Sequence, residues 1–123
     1  MNGPSAGLAA RGTRFELVPV GPTGLAVVRI ADGQRVGMVE VEPAGDGLTI
    51  QRLCIDDTHR GYGAGSEAAW LLVGAAREAG YRRLRAWAHP SLGLSAYFWI
   101  RMGFRPRHGE GPEGGIWFER GMN

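Results

Sequence analysis

The chain has no lysine; all 14 of its basic residues are arginine. That excludes a lysine Schiff base and the lysine that grips phosphate in a Walker-type loop. The single cysteine, Cys54, excludes an internal disulfide and any zinc site built on several thiolates. No apolar run approaches the roughly 18 residues that a membrane-spanning helix needs. The start, MNGPSAGLAARGT, has no basic cluster followed by an apolar stretch, so no secretory signal is read there. These absences point to a cytoplasmic protein with no membrane partner. Net charge is also small: 14 arginines against 12 acidic residues leave +2, too little to argue for nucleic acid. Glycine is abundant, with 21 of 123 residues, and together with arginine and alanine it suggests GC-rich, bacterial coding. A length of 123 residues with 44% hydrophobic residues fits one domain around one core.

Residues 1–12, with Gly3, Pro4, Gly7 and Gly12, read as a flexible tail before a domain over 13–120. TRFELVPV (13–20) alternates like a strand, and GPTG (21–24) breaks it. LAVVRIA (25–31) and RVGMVEVE (35–42) flank Asp32-Gly33, a hairpin signal. PAGDG (43–47) then turns into LTIQRLCID (48–56). The period changes at Ser66: Ala69, Leu72, Val73 and Ala76 share one face of a helix over 66–80, closed by Gly80. RRLRAWAH (82–89) reads as a strand and 91–102 as a helix begun by Pro90 and Ser91 and ended by Gly103. Strands over 104–107 and 115–120 complete the pattern. The expected class is α/β (α+β), a mixed, mostly antiparallel central sheet of about seven strands with two main helices.

The informative stretch is Arg60-Gly61-Tyr62-Gly63-Ala64-Gly65-Ser66, between a strand and a helix. Glycines let the backbone approach a ligand and adopt positive φ. The helix start adds unpaired N–H groups and a positive dipole end, so this turn is an anion cradle, with Arg60 as a further charge. A glycine-rich turn without a ligand would look the same. A Rossmann fingerprint fails, because Ser66 stands where its third glycine belongs and the preceding strands read as antiparallel.

The same residues resemble the GNAT superfamily of acyl-coenzyme A dependent N-acyltransferases. That family carries Arg/Gln-x-x-Gly-x-Gly/Ala on the turn before a helix, and Arg60-Gly61-Tyr62-Gly63-Ala64-Gly65 is similar to it. Met102-Gly103-Phe104 matches the family's Gly-Phe after its last helix. The resemblance covers roughly 13–120. It implies acetyl-CoA or another acyl-CoA as co-substrate, with its pyrophosphate on the backbone from Tyr62 to Ser66. It also implies a pantetheine arm paired with Leu53, Cys54 and Ile55, where that strand splays from 82–89. A backbone N–H there would serve the acyl carbonyl.

The chain departs from the family in its last helix, with Trp99 and Leu92, at Thr49, and after its first strand. Trp99 stands where a tyrosine often protonates the leaving thiolate, and indole is far too weak an acid for that. Leu92 replaces a common asparagine. Thr49 occupies the approximate place of a glutamate used as base by some members. GPTG leaves no room for the usual helices after the first strand. Ser95, one turn before Trp99, and Tyr97 are alternative catalytic candidates, and His89 a candidate base. Glu40 and Glu42 read as a solvated strand face, Cys54 as buried in the sheet, and no metal-ligand spacing exists. Trp70, Trp87 and Trp117 read as packing residues.

The resulting expectation is an N-acyltransferase acting on a small-molecule or peptide primary amine. The alternative is a catalytically weak or inactive GNAT-fold module that binds acyl-CoA or a partner chain. With no lid on the acceptor side, a homodimer is expected.

Overall fold

The computed structural model describes residues 3–88, 93–110 and 115–122. Strands β1 (Ala10–Arg11), β2 (Phe15–Val20), β3 (Gly24–Arg29), β4 (Arg35–Ala44) and β5 (Gly47–Ile55) form an antiparallel meander. Helix α1 (Ala64–Glu78) leads to β6 (Arg83–Ala88), which pairs in parallel with β5. Helix α2 (Gly93–Arg101) leads to β7 (Arg105–Glu110) and β8 (Ile116–Gly121). The eight-stranded sheet runs β1-β2-β3-β4-β5-β6-β8-β7. The mixed, mostly antiparallel sheet and its two helices match the expected class, and the short edge strand β1 is the addition.

Local chemistry sets the corners. Gly33 takes φ +71 between β3 and β4, as its turn requires. Asp32 grips the Arg29 guanidinium at 3.0 and 2.7 Å. That contact, and then the Gln34 N–H, holds its carboxyl down at about 2. Helix α1 closes as the sequence suggests: Gly80 at φ +93 donates to Arg77 O and Tyr81 donates to Ala76 O, a Schellman motif. The same motif ends α2, with Gly103 donating to Ile100 O and Phe104 to Trp99 O. The Gly-Phe landmark is therefore a helix stop, and it turns Phe104 into the core. At its other end α1 begins at Ala64 rather than Ser66, because Gly63 to Gly65 carry too little side chain to reveal a periodicity.

One face of the sheet carries the core. Leu17, Leu25, Val27, Val39, Val41, Ile50, Leu84 and Phe118 pack with Ala69, Leu72, Val73 and Ala76 of α1 and Trp99 and Met102 of α2. On the opposite face Glu40, Glu42, Arg52, Cys54 and Arg85 are exposed and Val18 is 38% exposed. Among the described residues no helix covers it, since β2 and β3 are joined by only a tight turn. Cys54 is thus solvent-facing rather than buried. Strand alternation puts it on the polar face, opposite Met38. Trp70 is 49% exposed and lies under the Arg120 guanidinium, 5.3 Å from its ring centre, so it is only half a packing residue.

The segment read as a flexible tail is built into the core from Pro4 onward. Pro4–Leu8 forms a 3-10 turn whose Leu8 is fully buried. Ser5 is 1% exposed, with its hydroxyl donating to Gly21 O and its N–H to Pro22 O. A single apolar anchor among small residues escapes a reading based on composition.

Candidate functional site

The glycine turn is an exposed helix start. Gly61 and Gly63 take φ +88 and +84, values that L side chains avoid. Gly63 caps α1 without a side-chain bond, and the first helical hydrogen bond runs from Glu67 N–H to Gly63 O at 3.0 Å. The amides of Ala64, Gly65 and Ser66 precede it and have no partner within the helix. Arg60 is committed elsewhere: its Nε donates to Ile55 O at 3.2 Å and its Nη1 pairs with Asp57 at 3.1 Å. It ties the turn to the end of β5. Tyr62 is 68% exposed beside the turn.

A second arginine, missed in the sequence, stands against the turn. Glu67, in the first turn of α1, accepts the backbone N–H groups of Arg14 at 2.9 Å and Phe15 at 2.8 Å. It also pairs with Arg14 Nε at 3.6 Å. This clamp sets the Arg14 guanidinium against the turn, so that a Cβ added at Gly63 would lie 2.6 Å from Arg14 Nη2. Arg14 and Gly63 are distant in sequence, and no spacing pattern joins them. Beyond Arg14 lies an open cleft of about 420 Å³ lined by Phe15, Arg29, Val36, His59 and Tyr62.

The strand feeding the turn is splayed. β5 pairs with β6 only from Gly47↔Arg83 to Ile50↔Ala86. The register against β4 shifts between Glu40 and Val41, leaving Gln51 as the extra residue of a bulge. β6 continues to Ala88 against β8 while β5 continues to Ile55 against β4. Among the described residues the β5 edge over 51–55 has no ladder partner on the β6 side. Leu53 and Ile55 there are half-buried. A 3-10 turn, Asp57–His59, links the end of the edge to the glycine turn.

The three α2 candidates separate. Trp99 is 5% exposed, its ring 4.9 Å from those of both Phe98 and Phe104 in edge-to-face contacts. Tyr97 points to solvent at 71% exposure, and Ser95 lies in the first turn of the helix. The α2 residue Phe98 lies 3.7 Å from where a Gly65 Cβ would be. His89 and Leu92 lie outside the described residues.

The fold has solved counterparts. A putative acyl-CoA N-acyltransferase from Klebsiella pneumoniae superposes with TM-score 0.70 at 21% identity, over 81% of this chain and 72% of that one. The PaiA N-acetyltransferase of Thermoplasma acidophilum, solved in complex with coenzyme A, gives 0.69 at 16% identity, over 80% of this chain and 59% of that one. The ribosomal-protein-S18-alanine N-acetyltransferase of Escherichia coli gives 0.70 at 13% identity, over 91% and 72%. At these identities the likeness is one of fold. No curated protein matches the sequence significantly. The acetyltransferase (GNAT) family profile matches residues 11–104, which takes in the meander, the splayed strand, the glycine turn and the Gly-Phe stop, and the chain belongs to that family.

Proposed function

We propose that the chain transfers an acetyl or similar acyl group from acyl-CoA to a primary amine. The observation that carries this reading is the pairing of two features: a β5 edge, 51–55, without a ladder partner on the β6 side among the described residues, and the helix-start amides of Ala64 to Ser66 a short turn beyond it. The donor fits both parts. A pyrophosphate would sit on the turn amides, with Arg14 adding a charge-assisted contact. The pantetheine amides would pair along the edge like an added strand. An N–H of that edge would receive the thioester carbonyl and stabilise the oxyanion as the amine attacks. The C–S bond then breaks and the electron pair leaves on sulfur. A thiolate is a good leaving group, so holding amine and thioester together supplies much of the rate even without a strong acid at Trp99.

The rival reading, a module that binds acyl-CoA without turnover, draws on the packing of Trp99 among Phe98 and Phe104. Acetyl-CoA mixed with a panel of alkylamines and peptides with free amino termini separates the two. Amine-dependent thiol release supports the enzyme, and calorimetric binding of coenzyme A without release supports the module.

Arg14 gives a narrower test. Arg14→Gln should weaken coenzyme A binding about three- to tenfold, roughly 0.7 to 1.4 kcal/mol, with a smaller loss at high salt. Equal affinity in calorimetry would remove Arg14 from the donor site.

A further inference from the structure

The uncovered face of the sheet is electrically divided. Its β4 side carries Glu40 and Glu42, whereas β6, β8 and β7 bring arginines together. Arg85 of β6 and Arg105 of β7 both stand opposite Glu119 of β8. Glu119, its side chain 15% exposed, draws three guanidiniums to one carboxylate: Arg83 Nη1 at 3.5 Å, Arg85 Nε at 3.2 Å and Arg107 Nε at 3.9 Å. Asp46 takes a further contact of Arg83, at 3.4 Å. Arg83, Arg85, Arg105 and Arg107 thus meet only Glu119 and Asp46 among the described residues, and the excess is positive. The next carboxylate on the face, Glu42, is separated from Arg85 by Thr49, about 10 Å away at ordinary strand spacing, and accepts a hydrogen bond from Gln51. Arg85 and Arg107 remain open, and with Trp117 and Glu119 they line a hollow of about 220 Å³. Each meets Glu119 through Nε, and the guanidinium fork carries further N–H donors beyond it. The hollow lies beside the splay. Thr49↔Arg85 and Ile50↔Ala86 are the last rungs between β5 and β6. Trp87 follows Arg85 on the same face, where β5 no longer pairs, and Trp117 stands opposite it. Two residues of strand, about 7 Å, therefore separate Arg85 from the first splayed position on this face.

We propose that this hollow receives a negative group of the acceptor, a carboxylate or a phosphate, carried close to the amine that is acylated. This rests on the acyl-transfer reading above and narrows its substrate to an acidic amino terminus, in preference to a neutral or basic one. Arg85 and Arg107 make charge-assisted bonds to the anion. Glu119 holds both guanidiniums in place, and the Trp117 indole supplies a flat wall. A polycationic acceptor is disfavoured by the same excess charge. The short span from Arg85 to the splay sets the reach: the anion belongs within about two residues of the amine.

The test uses acetyl-CoA with the peptide amides Ala-Asp-Ala, Ala-phosphoserine-Ala and the neutral Ala-Asn-Ala. At low salt, wild type should favour an acidic peptide over the neutral one by at least about tenfold in kcat/KM. Arg107→Gln and Arg85→Gln should each cut that preference about threefold or more, with coenzyme A affinity unchanged. A preference for either acidic peptide supports the site, and the larger of the two tells carboxylate from phosphate. Backbone amide shifts give a readout free of turnover: those of Arg85, Trp117 and Glu119 should move with an acidic peptide and not with Ala-Asn-Ala. Turnover without a preference, or a preference that both variants keep in full, overturns the proposal. Absence of thiol release with every amine removes the acyl-transfer reading, and the amide shifts then decide the hollow by themselves: shifts with an acidic peptide alone keep it as an anion site, and their absence overturns it.

Discussion

A Gly63→Val protein should bind coenzyme A at least about tenfold more weakly than wild type, ~1.4 kcal/mol. Two effects act together. Gly63 holds φ +84, where a β-branched residue is strained by roughly 1–2 kcal/mol, so the turn relaxes and its amides lose their common aim. The new Cβ also falls 2.6 Å from Arg14 Nη2, which forces the guanidinium away from the anion. Calorimetry reads the affinity, and a cooperative melt shows that the variant remains folded. Gly65→Ala is the matched comparison. Its added Cβ would make ordinary contacts at 3.7 Å with Ile55 and Phe98, behind the cradle. It should keep affinity within about threefold, or ~0.7 kcal/mol. A Gly63→Val variant that binds as wild type does would show that the turn amides are not the anion site.

The second large effect is on stability. Leu8→Ala should cost about 3 kcal/mol, within the 2–5 kcal/mol span for buried leucine. Leu8 is fully buried in the cluster that includes Phe15, Leu17 and α1, and truncation leaves a cavity under the helix that carries the turn. Urea denaturation should show the midpoint falling with little change in slope. A change below about 0.5 kcal/mol would mean that the segment before β1 contributes nothing to the core.

These two positions mark what the sequence can and cannot express. Gly63 is legible as a turn residue because the strand alternation before it and the apolar helix face after it are strong local signals, although a glycine turn without a ligand would read the same. Gly80 and Gly103 are legible for the same reason: each ends a periodic run. Leu8 is hidden because one buried leucine makes no pattern. Arg14 is hidden because its position depends on Glu67 clamping two backbone amides from another element. Cys54 misleads because cysteine is usually buried, and only the register against Met38 puts it on the outer face. Trp99 falls at the helix position expected for an acid, but sequence position alone does not reveal that Phe98 and Phe104 enclose its ring. The splay was expected from family resemblance; the bulge at Gln51 that produces it depends on strand register.

The central claim is that one ligand occupies both the β5 edge and the glycine turn. Backbone amide chemical shifts followed during a coenzyme A titration test it most directly. The account predicts the largest changes at Gln51 to Ile55 and at Gly63 to Ser66, saturating together with one affinity. Changes confined to one of the two segments, or none at millimolar coenzyme A, would contradict it.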